Sequence, residues 1–313
     1  VQQAIVDKGL RFYVIDALQV AGDYGLGNRI NLVMQTCFWA LTDLLPRERA
    51  MAESKEMIAK SYEKKGADIV QKNQAAVEAT LAHLERVDVP VGGPSGKPRP
   101  PVVDARAPSF VQRVTAMMMA GKGDQLPVSA FPPDGTWPVG TTQWEKRNLA
   151  VEIPVWNTDL CIQCNKCVLV CPHAAIRAKV YEPQHLESAP AGFLSAAWRG
   201  DDFPGQRYTI QVAPEDCTGC QICAVVCPAK DKANPRNKAL MMEPQRPRRE
   251  AERERYQFFL DALPEVDRSK VKLDVKGSGL LQPLFEYSGA CSGCGETPYI
   301  KVLTQLFGDR LMI

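Results

Sequence analysis

The chain has 313 residues, of which 45% are hydrophobic and 24% charged, a composition typical of a globular protein with more than one domain. Its formal net charge of +2 excludes the strongly basic surface of a typical nucleic-acid or membrane-surface binder. No apolar run approaches the roughly 18 residues of a membrane-spanning helix, and the first residues lack a signal-peptide pattern.

Residues 46–87 carry a helical pattern. In the second half, apolar and small side chains recur at intervals of three and four residues: Ile69, Val70, Asn73, Val77, Thr80, Leu81 and Leu84. Pro46 suits the start of a first helix, and Gly66 is expected to separate it from a second. The proline-rich stretch that follows, residues 89–108, predicts an extended linker.

Eight of the eleven cysteines form two similar runs, CIQCNKCVLVCP and CTGCQICAVVCP. Both have the spacing C-x2-C-x2-C-x3-C-P, which bacterial ferredoxins use to bind two [4Fe–4S] clusters. Three closely spaced thiolates hold three corners of one cubane, and the fourth cysteine of each run is directed to the other cluster. The predicted ligand sets are therefore crossed: Cys161, Cys164, Cys167 and Cys227 for cluster one, and Cys217, Cys220, Cys223 and Cys171 for cluster two.

Two zinc sites in an interaction module are the competing interpretation of these cysteines. Zinc sites pair Cys-x-x-Cys units and lack the third cysteine and the terminal Cys-Pro, so the spacing favours iron–sulfur clusters. Tightly grouped cysteines in a chain of this size indicate metal binding in a reducing compartment, and we expect a cytoplasmic protein. Apolar residues between the ligands are expected to shield the clusters from water: Ile162, Val168, Val170, Ile222, Val225 and Val226.

Three other stretches carry weaker predictions. Residues 182–206, between the two motifs, are predicted to form an inserted loop or small helix that covers a cluster or contacts another subunit. Residues 246–262 mix both charge signs and predict a solvent-exposed helix, with a docking surface for an acidic partner as the weaker alternative. The stretch VKLDV, residues 271–275, predicts a strand. His173 is expected to be structural and Cys37 a small buried side chain.

The stretch ACSGCGETPYIKVLTQLFGDRLMI contains a further pair, Cys291 and Cys294. Thr297 is expected to be the N-cap of a helix and Pro298 its first residue, with Gly308 at its end. The predicted buried face of this helix consists of Ile300, Leu303 and Phe307. The cysteine pair then lies on the loop that enters the helix, where backbone N–H groups stabilise an anionic group.

These motifs, together with MAGKGDQLPVSAFPPDGTWPVGTTQWEKRN, closely resemble pyruvate:ferredoxin (flavodoxin) oxidoreductase, over nearly the whole chain. The resemblance implies a multidomain α/β and α+β fold, with a bacterial-type 2[4Fe–4S] ferredoxin domain flanked by parts of α/β domains. It also implies four segments: the C-terminal part of a gamma-type domain (1–105), a connecting domain (106–150), the two-cluster ferredoxin domain (151–265) and the start of a thiamine-diphosphate-binding domain (266–313).

By this resemblance, the intact enzyme decarboxylates pyruvate on thiamine diphosphate and Mg²⁺, makes acetyl-CoA from coenzyme A, and passes electrons to ferredoxin or flavodoxin. Cys291 and Cys294 are implied to be half of the ligands of a third [4Fe–4S] cluster, and Glu296 to lie near thiamine diphosphate. The other two ligands and the GDG…Asn thiamine motif are absent. We therefore expect an inactive internal fragment without catalytic residues, whose third site holds no stable cluster. A homodimer is expected for the full-length enzyme, with no nucleic-acid or membrane partner.

A freestanding two-cluster electron carrier, or an iron–sulfur subunit of another oxidoreductase, is the alternative function. The C-x-G-C-G-E-T-P-Y tail favours the 2-oxoacid oxidoreductase, because a simple carrier has no use for it.

Overall fold

A computed structural model describes residues 2–42, 44–89, 96 and 100–313. The chain divides into two compact units, residues 1–99 and 100–313. Part of the predicted linker, residues 90–95 and 97–99, lies outside the described residues. Among the described helices, none combines the length and apolar character needed to cross a bilayer.

The first unit is mainly helical. Its elements are α1 (Gln2–Asp7), β1 (Phe12–Val14), α2 (Ala17–Asp23), α3 (Asn31–Leu41), α4 (Arg47–Tyr62), α5 (Ala67–Thr80) and β2 (Glu85–Val87). The two short strands pair antiparallel, with Phe12 opposite Val87. Helices α3, α4 and α5 contribute Leu32, Ile58 and Val77 to one apolar cluster, so the three helices pack on a shared core.

The two helices predicted within residues 46–87 are confirmed. Pro46 precedes α4 as its N-cap residue, and Gly66 separates α4 from α5 with a φ of 104°, a conformation that favours glycine. The buried face of α5 includes Asn73, Val77 and Thr80, as the spacing predicted.

The second unit begins with residues of little regular structure. A π-helical turn (Val111–Thr115) leads into α6 (Ala116–Met119), and short 3₁₀ turns follow. The remaining elements are β3 (Glu152–Trp156), α7 (Lys166–Val170), β4 (Ile176–Tyr181), β5 (Ala196–Ala197), β6 (Arg207–Val212), α8 (Ile222–Val226), β7 (Leu240–Pro244), α9 (Arg249–Asp261), α10 (Val275–Ser278) and α11 (Thr297–Phe307).

The two ferredoxin motifs occupy equivalent places in two sheets. Strand β3 pairs antiparallel with β7, and β4, β6 and β5 form a second antiparallel sheet in the order β4-β6-β5. Motif one lies between β3 and β4, and motif two between β6 and β7. Each motif ends in one short helix, α7 or α8, and the two helices contact each other. The chain thus brings both cysteine loops to one core.

Helix α9 confirms the helix predicted within residues 246–262, but it is not solvated on every side. Tyr256 and Phe259 are buried in an apolar cluster with Tyr181 and Tyr287. The charged residues lie mostly on the opposite face. The mixed charges therefore predicted the exposed face, and the two aromatic residues attach the helix to the unit.

The strand predicted at residues 271–275 is wrong. The chain turns there and enters α10, whose N-cap Asp274 accepts a hydrogen bond from the amide of Gly277 at 2.9 Å. A Cβ at Gly277 would lie only 1.9 Å from the carbonyl oxygen of Lys272. This close backbone approach is a turn geometry, and it overrides the alternating apolar pattern.

Helix α11 is confirmed, but two details of the prediction are wrong. Thr297 is the first helical residue; Glu296 is the N-cap residue and makes no capping hydrogen bond with its side chain. The predicted buried face is open, because Leu303 and Phe307 are 41% and 46% exposed.

The buried face of α11 is instead polar, with Lys301 and Gln305 at its centre. The amide of Gln305 donates to the carbonyl oxygen of Leu281 at 2.7 Å, and Lys301 donates to carbonyls at the end of α7. The carbonyl groups at the end of α7 have no further helical partners, so they need donors from a neighbouring element. The need for donors explains why polar residues face inwards.

Candidate iron–sulfur centre

The backbone of both cysteine loops follows the same path. The residues on either side of the second cysteine have positive φ in each motif: Gln163 (55°) and Asn165 (55°) in motif one, and Gly219 (67°) and Gln221 (66°) in motif two. Left-handed residues turn the chain tightly, so the loop curves around a point and its side chains converge. Backbone amides at Gln163 and Gly219 approach the sulfur atoms of Cys161 and Cys217 at 3.3 Å and 3.5 Å.

Hydrogen bonds fix the left-handed residues of motif one. The side chain of Gln163 donates to the carbonyl of Ala197 at 2.7 Å and accepts from the amide of Arg199 at 2.7 Å. The guanidinium of Arg199 donates to the carbonyl of Cys161 at 2.9 Å. The insertion at residues 182–206 therefore packs on the first cysteine loop, which favours the predicted covering role. It contains a 3₁₀ turn and the short strand β5.

Asn165 is held by a buried tyrosine. The hydroxyl of Tyr208 donates to the Asn165 side-chain oxygen at 2.6 Å, and the Asn165 amide donates to the carbonyl of Lys276 at 2.7 Å. Tyr208 is fully buried. A non-glycine residue in the left-handed region costs about 1–2 kcal/mol, so these bonds stabilise a strained position.

Substitution of Tyr208 by Phe is expected to weaken cluster one. The change leaves the buried Asn165 oxygen without its donor, at a cost of about 1–3 kcal/mol. We expect about fivefold faster loss of iron to a chelator, the factor that about 1 kcal/mol produces. Tyr181→Phe is the matched control, since its hydroxyl bonds to Ser195 instead. Equal rates of iron loss in the two variants would contradict the role of Tyr208.

Electrostatic contacts group the thiols as the crossed prediction requires. Cys161 interacts with Cys164 and Cys227, whereas Cys217 and Cys223 both interact with Cys171 and Cys220. Each set thus combines three cysteines of one motif with the fourth cysteine of the other. Cys167 interacts most with Cys223 of the other set and then with Cys161, Cys164 and Cys227 of its own, so the two predicted sites are close neighbours.

A cavity supports the second ligand set directly. It is lined by all four cysteines predicted for cluster two, Cys171, Cys217, Cys220 and Cys223. Its other walls are mostly apolar and include Ile176, Val212 and Met242. Burial raises the pKa of Cys217 to about 12 and also raises the pKa of Cys223, so as free thiols both are protonated near neutral pH. Bound iron would supply the positive charge that keeps them ionised.

Several buried polar atoms without a hydrogen-bond partner lie near the cysteines. Among the described residues, five buried side-chain nitrogen or oxygen atoms lack a hydrogen-bond partner: those of Thr115, Trp156, His173, Thr218 and Thr297. His173 and Thr218 line the cluster-two cavity. Burial raises the pKa of the Cys161 thiol, and the nearby Trp156 side chain partly opposes this rise. The backbone N–H of Thr297 is the main cause of the lowered pKa of Cys294, and the Thr297 side chain lowers it further. Inorganic sulfide and thiolate sulfur accept such donors, so the donors fit [4Fe–4S] clusters at these positions.

Not all of the apolar residues between the ligands are buried, as the prediction required. Val168 is buried, and Val170, Ile222 and Val226 are half-buried. Ile162 and Val225, in contrast, are 54% and 74% exposed, so the prediction that they shield the clusters is wrong for these two. Ile162 follows the ligand Cys161, and Val225 lies between Cys223 and Cys227. Both are on the outer side of their loops, where the chain turns towards solvent.

The third cysteine pair lies against the second ferredoxin motif. Cys291 is exposed and Cys294 is half-buried. A Cβ at Gly293, between them, would lie 3.6 Å from the Cβ of Cys220 and 3.5 Å from Ile222. Backbone N–H groups at the start of α11, chiefly that of Thr297, lower the pKa of Cys294. These N–H groups are the physical basis for the predicted stabilisation of an anionic group on this loop.

The other predicted residues lie as follows. His173 is buried and its Nδ1 lies 3.1 Å from the carbonyl oxygen of Ser288, so it connects the end of motif one with the loop before Cys291. Cys37 is a buried side chain in α3, as predicted. Glu296 is exposed beside Cys294. Within residues 2–42, 44–89, 96 and 100–313, no three His, Cys, Asp or Glu side chains converge on a point for a single metal ion.

Lys301 was missed at the sequence level. It is buried in α11 and donates to the carbonyls of Leu169 and Cys171 at 2.9 Å and 3.1 Å, and to that of Val168. Burial lowers its pKa to about 8. In the sequence Lys301 lies among apolar residues of an amphipathic helix, and this pattern does not indicate that the lysine is buried. One left-handed position of each loop, by contrast, could have been recognised by aligning the two motifs, because Gly219 in motif two occupies the place of Gln163 in motif one.

Comparison with known proteins agrees with this arrangement. Residues 160–230 match the 4Fe-4S dicluster domain family, and residues 1–83 match the family described as pyruvate ferredoxin/flavodoxin oxidoreductase. Residues 96–150 match EKR, a domain of unknown function. The mixed α/β character and the two-cluster domain predicted from the sequence are thereby confirmed.

Curated relatives match along the whole chain. Identity is 53% with the pyruvate-flavodoxin oxidoreductase of Nostoc sp., covering 100% of this chain and 27% of the relative. It is 46% with the pyruvate:ferredoxin oxidoreductase of Moorella thermoacetica, covering 100% of this chain and 26% of the relative. It is 42% with the mitochondrial pyruvate dehydrogenase [NADP(+)] of Euglena gracilis, covering 99% and 17%. The chain spans about a quarter of the length of the first two relatives.

Proposed function

Because the chain matches one segment of the pyruvate-flavodoxin oxidoreductases along its whole length, we propose that it is the electron-relay portion of a pyruvate (2-oxoacid):ferredoxin/flavodoxin oxidoreductase. The whole protein oxidatively decarboxylates pyruvate with coenzyme A to acetyl-CoA and CO2. The observation that carries the proposal is the apolar cavity lined by three cysteines of one motif and the fourth cysteine of the other.

The cysteines would hold two [4Fe–4S] clusters in the crossed arrangement. When bound, each cluster accepts and donates a single electron. Cluster one would be held by Cys161, Cys164, Cys167 and Cys227, and cluster two by Cys217, Cys220, Cys223 and Cys171. The surrounding strands exclude water, and the donors at the loops stabilise the negative charge of the thiolates, which together set the reduction potentials.

The position of the third cysteine pair suggests a direction for the relay. Cys291 and Cys294 supply half of the ligands of a third cluster, and their loop lies against Cys220 of cluster two. Electrons would therefore enter at the site formed by Cys217, Cys220, Cys223 and Cys171. They would leave from the site formed by Cys161, Cys164, Cys167 and Cys227, where the exposed Ile162 beside Cys161 leaves room for ferredoxin or flavodoxin to approach.

The remaining parts of the proposal concern the whole protein. The chain consists of four segments of the whole enzyme. They are the gamma-type segment (1–105), the connecting segment (106–150), the ferredoxin segment (151–265) and the first part of the thiamine-binding segment (266–313). Glu296, at the start of α11, lies near thiamine diphosphate, which binds with Mg²⁺. The full-length enzyme is a cytoplasmic homodimer. The helix start at Thr297 supports an anion site here, because its N–H groups already stabilise a thiolate.

Electron transfer to flavodoxin tests the relay. The reconstituted chain is reduced photochemically without air, freed of reductant and mixed with excess oxidised flavodoxin. Each reduced cluster gives up one electron, so we expect about two flavodoxin semiquinones per chain as the clusters reoxidise. Flavodoxin that stays oxidised beside reduced clusters would contradict the proposal.

The coding sequence on both sides of residues 1–313 distinguishes the proposed function from the alternative, a freestanding two-cluster electron carrier. The 2-oxoacid oxidoreductase requires a GDG…Asn motif and two further cysteines downstream. A coding sequence without them would support the freestanding carrier instead.

A further inference from the structure

Residues 141–152 lie beside two loops that carry predicted cluster ligands. One is loop 215–220, which begins motif two, and the other is loop 286–294, which contains Cys291 and Cys294. The segment includes the sequence Glu-Lys-Arg at 145–147, and it falls largely in the region that matches a domain of unknown function. It consists of a 3₁₀ turn, an irregular stretch and the first residue of β3.

The segment is attached to loop 215–220 by backbone and side chain. The amide of Asn148 donates to the carbonyl oxygen of Glu215 at 2.8 Å. The ammonium group of Lys146 lies 2.6 Å from a carboxylate oxygen of Asp216, whose side chain is only 2% exposed. An ion pair with a buried partner holds its geometry better than a surface pair, so the residue before Cys217 is fixed.

The same segment is attached to loop 286–294. The hydroxyl of Thr142 donates to the carbonyl oxygen of Glu286 at 2.9 Å. The guanidinium of Arg147 donates to the carbonyl oxygen of Ala290 at 2.8 Å, directly before Cys291. Two adjacent cations, Lys146 and Arg147, therefore bind to the residues that precede the first ligands of two different sites.

Direct contact between the two loops is slight by comparison. The hydroxyl of Ser292 donates to the carbonyl oxygen of Thr218 at 3.3 Å, in an exposed position. Gly293 lies close to Cys220 without any polar contact between them. An exposed bond of this length contributes little. The start of loop 286–294 is also held by His173, whose carbonyl oxygen accepts from the amide of Tyr287 at 2.8 Å. The bond from Arg147 to Ala290 lies further along this loop, directly beside Cys291, so residues 141–152 hold the part of the loop that carries the cysteine pair.

We infer that residues 141–152 form a positioning segment, which fixes the loop of Cys291 and Cys294 against the loop of Cys217 and Cys220. It thereby sets the separation between the third cysteine site and cluster two. The inference rests on the proposed function, because only an electron relay needs this separation to be constant. Electron transfer slows steeply with distance, so a loop that drifts by a few ångströms lowers the rate while both sites keep their ligands.

A spin-label distance measurement tests the positioning role. A nitroxide is attached to the exposed Cys291 in a chain with Cys37→Ser and Cys294→Ser, after reconstitution of the two clusters. Its dipolar coupling to reduced cluster two reports the separation of the loops. We expect one narrow distance in the parent and a longer, broader distribution in Arg147→Met, which keeps the apolar length and loses the donors. Arg113→Met, an exposed cation in the same region, is the matched control and should leave the distribution unchanged.

Amide hydrogen exchange provides a second measurement that needs no cluster. Arg147→Met should accelerate exchange in residues 288–294 about tenfold, because a backbone carbonyl there loses its partner. Lys146→Met should instead accelerate exchange in residues 214–220. A variant that merely destabilised the unit would accelerate exchange in both loops and in β4 and β6 as well.

The outcomes separate the inference from the proposed function. Unchanged distances and unchanged exchange in Arg147→Met, in a chain with its full iron content, would overturn the positioning role alone. A parent chain that binds no iron would contradict the proposed function, and the exchange data would still decide whether residues 141–152 hold the loops.

Discussion

Replacement of Cys227 by Ala should destroy the cluster of the first motif and leave the cluster of the second intact. Although Cys227 belongs to motif two in the sequence, its thiol interacts with those of Cys161 and Cys167. A cubane that loses a corner ligand in a buried site is expected to be lost, so iron should fall from about eight to about four per chain.

Alkylation of the anaerobic protein identifies the cluster that is lost. In Cys227→Ala, iodoacetamide should modify Cys161, Cys164 and Cys167, while the four ligands of cluster two stay protected. Cys171→Ala should give the reciprocal pattern, and Cys37→Ala, at a buried cysteine outside both motifs, should give neither. Alkylation of Cys217, Cys220 and Cys223 in Cys227→Ala would contradict the crossed assignment.

Replacement of Arg177 by Met should lower the free energy of unfolding of the second unit by about 3–5 kcal/mol. The guanidinium of Arg177 is buried in β4, forms an ion pair with Glu286 and donates to the carbonyl oxygen of Ala174 at 2.9 Å. It also lies 4.9 Å from the ring centre of Tyr287. Its removal leaves Glu286, whose side chain is only 18% exposed, without a compensating charge.

Urea unfolding with two companion variants checks the cause. Arg249→Met removes an exposed ion pair with Glu250 and should cost less than about 1 kcal/mol. Adding Glu286→Leu to Arg177→Met should recover much of the loss, because the unpaired charge is then gone. If the double variant were less stable than Arg177→Met, the loss would not arise from the uncompensated carboxylate.

Local patterns in the sequence were sufficient to predict much of the cluster region. Cysteine spacing and the repeat of one motif predicted two crossed sets of thiols, and the four thiols of the second set line one cavity in the structure. Such a grouping depends mainly on the geometry of a short loop. Helices α4 and α5 were predicted equally well, since a periodic apolar face and a glycine between them are local properties.

Contacts between distant residues were the part that could not be predicted. The buried face of α11 is polar because Lys301 donates to carbonyls of α7, more than a hundred residues earlier in the chain. The strand predicted at residues 271–275 failed because Gly277 must pack against the Lys272 backbone. Lys146 and Arg147 looked like ordinary surface cations until the fold placed their partners, Asp216 and Ala290, beside them.

Metal and sulfide analysis of the anaerobically purified chain tests the central claim most directly. Two [4Fe–4S] clusters predict about eight irons and about eight acid-labile sulfides per chain, with two interacting paramagnetic centres after reduction by dithionite. About two zinc ions per chain, with neither iron nor sulfide after anaerobic reconstitution, would contradict the iron–sulfur assignment and the electron relay with it.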